Sequence, residues 1–126
     1  MRLLAAILAL FSLAASAAPT FAQQQPASPR VAPADVRAVT PGLAAYTDDV
    51  LFGDVWRRTE LAPRDRSMVT VAALIAGGHT AQMTGHFNRA LDNGVKPREI
   101  AGIITHLAFY AGWPRAVSAV TVAKEV

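Results

Sequence analysis

Apolar residues recur at helical spacing through the second half of the chain. In "PREIAGIITHLAFYA", Ile100, Ile103, Ile104, Leu107 and Ala111 fall on one stripe, and in "HTAQMTGHFNRALD" Met83, Phe87, Ala90 and Leu91 form another. The stretch "PRDRSMVTVAALIA" is polar in its first turn and apolar afterwards, the pattern of a helix buried on most sides. Punctuation agrees with periodicity. Pro63, Pro97 and Pro114 suit first helical positions, where a missing N–H leaves no bond unmade. Asp65 and Glu99 place negative charge at the positive end of the helix dipole. Gly77-Gly78, Asn93-Gly94 and Gly112 are stop signals. Together these marks predict helices near 63–76, 79–92, 97–111 and 114–125.

Upstream, the helical pattern begins at Asp35 and is broken at Pro41-Gly42. Leu43 to Arg58 then carries Tyr46, Val50, Leu51 and Val55 at helical spacing, with Phe52 and Trp56 alongside, and Gly53 divides it. No strand pattern competes. The expected fold is all-α: a small antiparallel helical bundle with short links, apolar enough to bury surface against copies of itself.

The first two dozen residues follow a different rule. "MRLLAAILALFSLAASAAPTFAQ" has one positive charge, Arg2, an apolar run from Leu3 to Leu10 and a tail of small residues. That is the pattern of a secretory signal peptide at 1–22, too short in its apolar core to span a bilayer. Small-x-small cleavage signals fit after Ala17 and after Ala22, and the polar run from Gln23 favours Ala22. Residues 23–33, rich in Pro, Gln and Ala, read as a flexible linker, which leaves 34–126 as one domain. The expected location is the periplasm or the exterior, with no membrane attachment once the signal is removed.

Charge and cysteine content narrow the function. Without Arg2, 11 Lys+Arg stand against 9 Asp+Glu with no basic block, so nucleic acid is a poor partner. There is no cysteine, so neither disulfides nor thiol chemistry is open to the chain. His79, Gln82, His86, Arg89 and Asn93 fall three or four residues apart on one helix stripe, either a solvated face or a site. Gly85, beside His86, costs its helix about 1 kcal/mol relative to alanine, which suggests close approach by a neighbouring helix or a ligand. His106 sits among Gly102, Ile103, Phe109 and Tyr110, and reads either as a core or interface histidine or as a second site residue. His79 and His86 are separated by about 10.5 Å of helical rise, wider than the His-x-x-x-His spacing of helical zinc pairs, so no metal is expected.

Three stretches carry a family resemblance: "LAPRDRSMVTVAALIAGG", the helix end "HFNRALDNG", and "HLAFYAGWP". From Leu61 to Val126 the chain resembles the carboxymuconolactone decarboxylase family, within the alkylhydroperoxidase D-like superfamily. The resemblance implies an all-helical fold, homotrimers or homohexamers, no cofactor, and loss of carbon dioxide from a small carboxylated lactone. Thiol-using relatives carry Cys-x-x-Cys-x-x-x-His on the matching helix. Aligned on His86, those thiol positions hold His79 and Gln82, so thiol peroxidase chemistry is unsupported.

Decarboxylation needs a polarising donor, a proton source and a cation for the carboxylate, and histidine serves the first two near neutral pH. The expected catalytic residues are His86 and His106, facing one pocket. Arg66, Arg89, His79, Tyr110 and Trp113 are the candidate substrate contacts: Arg66 as carboxylate anchor, Trp113 as an apolar wall. Arg66 reads equally as a structural ion pair to Asp65, Glu60 or a partner subunit. The competing reading of the whole chain is a non-catalytic exported binding or assembly module.

Overall fold

The computed structural model describes residues 29–126, so the expected signal peptide at 1–22 and most of the linker lie outside the described residues. Every regular element among them is helical. Two short helices, α1 (Ala34–Val39) and α2 (Pro41–Ala45), lead into a π-helical run, Tyr46–Phe52, and a single 3-10 turn, Val55–Arg57. Four longer helices follow: α3 (Pro63–Gly77), α4 (Thr80–Asp92), α5 (Pro97–Ala111) and α6 (Trp113–Ala123). No helix among the described residues is long and apolar enough to cross a membrane.

The four expected long helices differ from the observed ones by no more than two residues at any end. The largest shift is at the end of α6, expected at 125 and found at Ala123. At the other termini the punctuation acts as anticipated. Gly78 takes φ +71°, the left-handed conformation that suits glycine, and lets the His79 N–H reach back to the Leu74 carbonyl at 2.9 Å. Gly94, at φ +91°, does the same for α4: the Val95 N–H donates to the Ala90 carbonyl at 2.9 Å. At the start of α5 the Glu99 carboxylate accepts the Lys96 N–H at 2.8 Å and pairs with Arg64 of α3. The Lys96 amide and then Arg64 hold the Glu99 carboxyl below its ordinary range.

The long helices pack in a fixed pattern. α3 lies against α4, α5 and α6, and α6 also lies against α4 and α5, whereas α4 and α5 scarcely touch. Val71 and Ile75 of α3, Met83, Phe87 and Ala90 of α4, Ile100, Ile104 and Ala108 of α5, and Ala116 and Ala119 of α6 form the shared core. Most of the two sequence stripes lies here, with Leu91, Ile103 and Leu107 only partly buried at its edge. α3 is central, as its apolar run suggests, yet Val69 on its outer side is exposed.

Side-chain bonds tie the edges to this core. Asn93, at the end of α4, donates from Nδ2 to the buried Ser67 hydroxyl on α3 at 2.9 Å. The segment before α1 is held by Asp48, whose Oδ1 accepts the N–H groups of Val31 and Ala32 at 2.8 Å each. Asp48 Oδ2 pairs with Arg37 at 2.8 Å. These bonds, the Ala32 amide first, keep the Asp48 carboxyl charged to lower pH than an ordinary aspartate.

Candidate functional site

Gly53 ends the Tyr46–Phe52 run, and a Cβ there would meet the Asp49 carbonyl oxygen at 2.2 Å. The tight turn this permits aims Trp56 back across Phe52, with ring centroids 5.6 Å apart. Trp56 then stacks on His86 of α4, centroid to centroid 6.1 Å and tilted by 30°. One helical turn further along α4, the Arg89 guanidinium carbon lies 4.4 Å from the Phe52 ring centroid and 5.2 Å from that of Trp56. Such contacts contribute about 0.5–2 kcal/mol, depending on how far the cation is desolvated. None of the ion pairs found among the described residues involves Arg89. The cation is therefore held by aromatic faces, and its hydrogen-bonding fork is not used up on an acid.

Burial among these rings pushes the His86 pKa below its ordinary value, and the nearby Arg89 cation pushes it the same way. Its Nδ1 atom is buried and makes no hydrogen bond with the protein. A buried polar atom without a partner is costly and calls for an explanation, a role in binding or catalysis among them; Arg66 Nε is the other such atom among the described residues. Gly85, next to it, would have nothing within 4 Å of an added Cβ, so among the described residues no helix makes the close approach that this glycine suggests. The face of α4 beside His86 is open.

The other expected site residues lie elsewhere. His106 is exposed on α5 and stacks on Tyr110 at 4.6 Å, while Phe109 meets Trp113 edge-on at 5.7 Å. His86 and His106 therefore do not face one pocket within the chain, because α4 and α5 occupy opposite corners of the four-helix core. Within the described chain Trp113 packs on Phe109, and the ring stacked on His86 is that of Trp56. Arg66, the expected carboxylate anchor, turns instead to main chain: its Nη2 donates to the Arg58 carbonyl at 2.7 Å and, more weakly, to Leu61 at 3.4 Å. It holds the loop that follows Trp56. His79 is the N-cap residue of α4, makes no side-chain capping bond and folds its ring over Gly77, where a Cβ would lie 2.5 Å from the imidazole.

Phe52 and Trp56 carry no charge or reactive atom, and the sequence marks them only as aromatics four residues apart. Their spacing says that they share a face. It does not say that the face meets His86 and Arg89, some thirty residues downstream.

A cluster of three or more metal-binding side chains is absent among the described residues. The site's repertoire is thus one proton-carrying imidazole, one cation and two aromatic walls, suited to holding an anionic planar molecule and moving a proton to or from it.

Comparison with known proteins points in one direction. The model of the carboxymuconolactone decarboxylase family matches residues 41–125. The chain is 37% identical over 75 residues to 4-carboxymuconolactone decarboxylase of Acinetobacter baylyi, covering 60% of this chain and 56% of that protein. It is 31% identical over 74 residues to nitrosuccinic acid decarboxylase of Metarhizium robertsii, covering 59% of this chain and 52% of that one. The chain spans little more than half the length of these relatives.

Proposed function

Since this chain belongs to the carboxymuconolactone decarboxylase family, we propose that it removes carbon dioxide from a small carboxylated, lactone-like acid without a cofactor. The reading gives His86 the proton and Arg89 the anionic substrate. The observation that carries it is the pairing of a buried, hydrogen-bond-free His86 Nδ1 with an Arg89 fork that no acid occupies. The names of the two relatives support the class, since both are decarboxylases of small organic acids.

In the proposed step the bond from carbon to carboxylate breaks and carbon dioxide leaves. The electron pair moves into a conjugated carbonyl, and the carbon then takes a proton from His86, which solvent later replaces. Burial disfavours the charged form of His86 in the free protein, and an arriving anion favours that charged, donating form. Arg89 steadies the charge that gathers on the carbonyl oxygen, an effect strengthened by the aromatic walls that displace water around it. Arg66 acts at one remove, by fixing the loop that bears Trp56.

The proposal extends to an exported homo-oligomer that uses no cofactor. Exposed Val39, Leu43, Tyr46 and Val50 supply apolar surface for self-association. Amino-terminal sequencing of secreted material and sedimentation of the purified chain test these two points.

The activity test is incubation of the purified protein with 4-carboxymuconolactone and a panel of small lactone and dicarboxylic acids, following carbon dioxide release. His86→Ala is expected to lower turnover by about 10²–10⁴-fold, the range for losing a positioned acid or base. Full turnover by His86→Ala on a substrate that the parent decarboxylates would sink the assignment.

A further inference from the structure

Because α4 and α5 do not pack on each other, a cleft of about 380 Å³ opens where their inner sides approach α6. Its walls include Leu91, Ile100, Ile104, Val120 and Ala123. The volume lies at the lower end of the ~300–1,000 Å³ usual for small-molecule sites. A second hollow of about 170 Å³ shares Ile104, Thr105 and Val120 with the first and runs on to Trp113. The two form one elongated apolar trough between α5 and α6. Among the described residues Lys124 is the only charged side chain lining it, and it stands at the end away from Trp113. None of the ion pairs found among the described residues involves Lys124. His86, Arg89 and Trp56 line neither hollow.

We propose that this trough is a binding site for a medium-chain aliphatic carboxylate, with its head group on Lys124 and its tail lying toward Trp113. Length and shape favour a chain over a compact ring. One cation at one end of a wall that is otherwise apolar apart from Thr105 favours a single negative charge at one end of the ligand. The site is separate from the His86 centre and does not depend on what that centre does.

The test uses decanoate, below the concentration at which it forms micelles, and the full chain carrying Trp56→Phe so that Trp113 is the only tryptophan. Saturable binding should shift Trp113 emission to the blue. Lys124→Glu should weaken binding by about tenfold or more, and Lys124→Arg should preserve it, as expected for a charge-assisted contact. Decanol, which lacks the carboxylate, should bind as weakly to the parent as decanoate does to Lys124→Glu. His86→Ala should bind decanoate like the parent, which keeps this result distinct from any failure of the decarboxylase reading. Equal affinity of Lys124→Glu and parent overturns the proposal, as does the absence of a saturable response. It is also overturned if Trp113 emission moves to the red on dilution and ignores decanoate, because a second copy of the chain would then fill the trough.

Discussion

Trp56 stacks on His86 across 6.1 Å, although thirty residues and the whole of α3 separate them in the chain. The indole supplies part of the burial that lowers the imidazole's proton affinity. Trp56→Ala should therefore move the His86 pKa back up toward its ordinary value, and Trp56→Phe should move it less. Histidine ring resonances followed by NMR across pH 4–9 would show this. An unmoved His86 titration in Trp56→Ala would mean that the indole does not shield it.

Arg89 acts on His86 in the same direction, so Arg89→Gln should also raise the His86 pKa. The consequence for folding has a definite sign. A histidine depressed in the folded state adds stability that is present above its unfolded pKa, near 6.5, and lost as pH falls through the lower folded value. Arg89→Gln should narrow that window, so its stability should fall less than the parent's between neutral pH and mildly acidic pH. Urea midpoints at several pH values measure the difference. With substrate, the same variant should raise KM by about tenfold or more, as expected for losing a charged hydrogen bond of roughly 1.5–3 kcal/mol.

Arg66 offers a contrast between holding substrate and holding the site. Its bonds run to the carbonyls of Arg58 and Leu61. Arg66→Gln should loosen the loop and lower stability by about 1 kcal/mol, in line with a lost hydrogen bond. It should also change the His86 titration through Trp56. A variant with unchanged stability and titration but a large rise in KM would instead give Arg66 the carboxylate.

Asp48 is the anchor of the amino-terminal segment. Its carboxyl is depressed below 3.8 by the Ala32 amide, Arg37 and the Val31 amide, so the anchoring it provides is present above that pH and lost as pH falls through the lower folded value. Asp48→Ala should speed hydrogen exchange at the Val31 and Ala32 amides while leaving α3 to α6 protected. Unchanged exchange at those two amides would show that something else holds the segment.

Phe87 is fully buried at the centre of the core. Phe87→Ala should cost about 3–5 kcal/mol, the usual range for removing a buried aromatic ring. Chemical denaturation gives the value directly, and a loss under about 1 kcal/mol would mean that the neighbouring helices close over the space.

Much of the fold was legible before any tertiary information. Proline starts, glycine stops and 3.6-residue stripes are local instructions, and α3, α4 and α5 obey them because their backbone caps and one-sided burial act within a few residues. The Tyr46–Arg57 region is less regular than its spacing suggests. There the chain widens into a π-helical run and turns at Gly53 to bring Phe52 and Trp56 onto α4, an outcome set by what the rings pack against.

The site divides the same way. Residue chemistry and stripe spacing determined that His86 and Arg89 share a face of one helix, since that follows from the geometry of a single helix. Tertiary structure decided which neighbours they have. It brought up Phe52 and Trp56, turned Arg66 onto main-chain carbonyls and placed His106 on the opposite corner of the core. Those outcomes depend on which helices pack together. Because α3 and α6 come between α4 and α5, two histidines that look equivalent in sequence stand in different surroundings: one half-buried beside a cation, the other exposed against Tyr110.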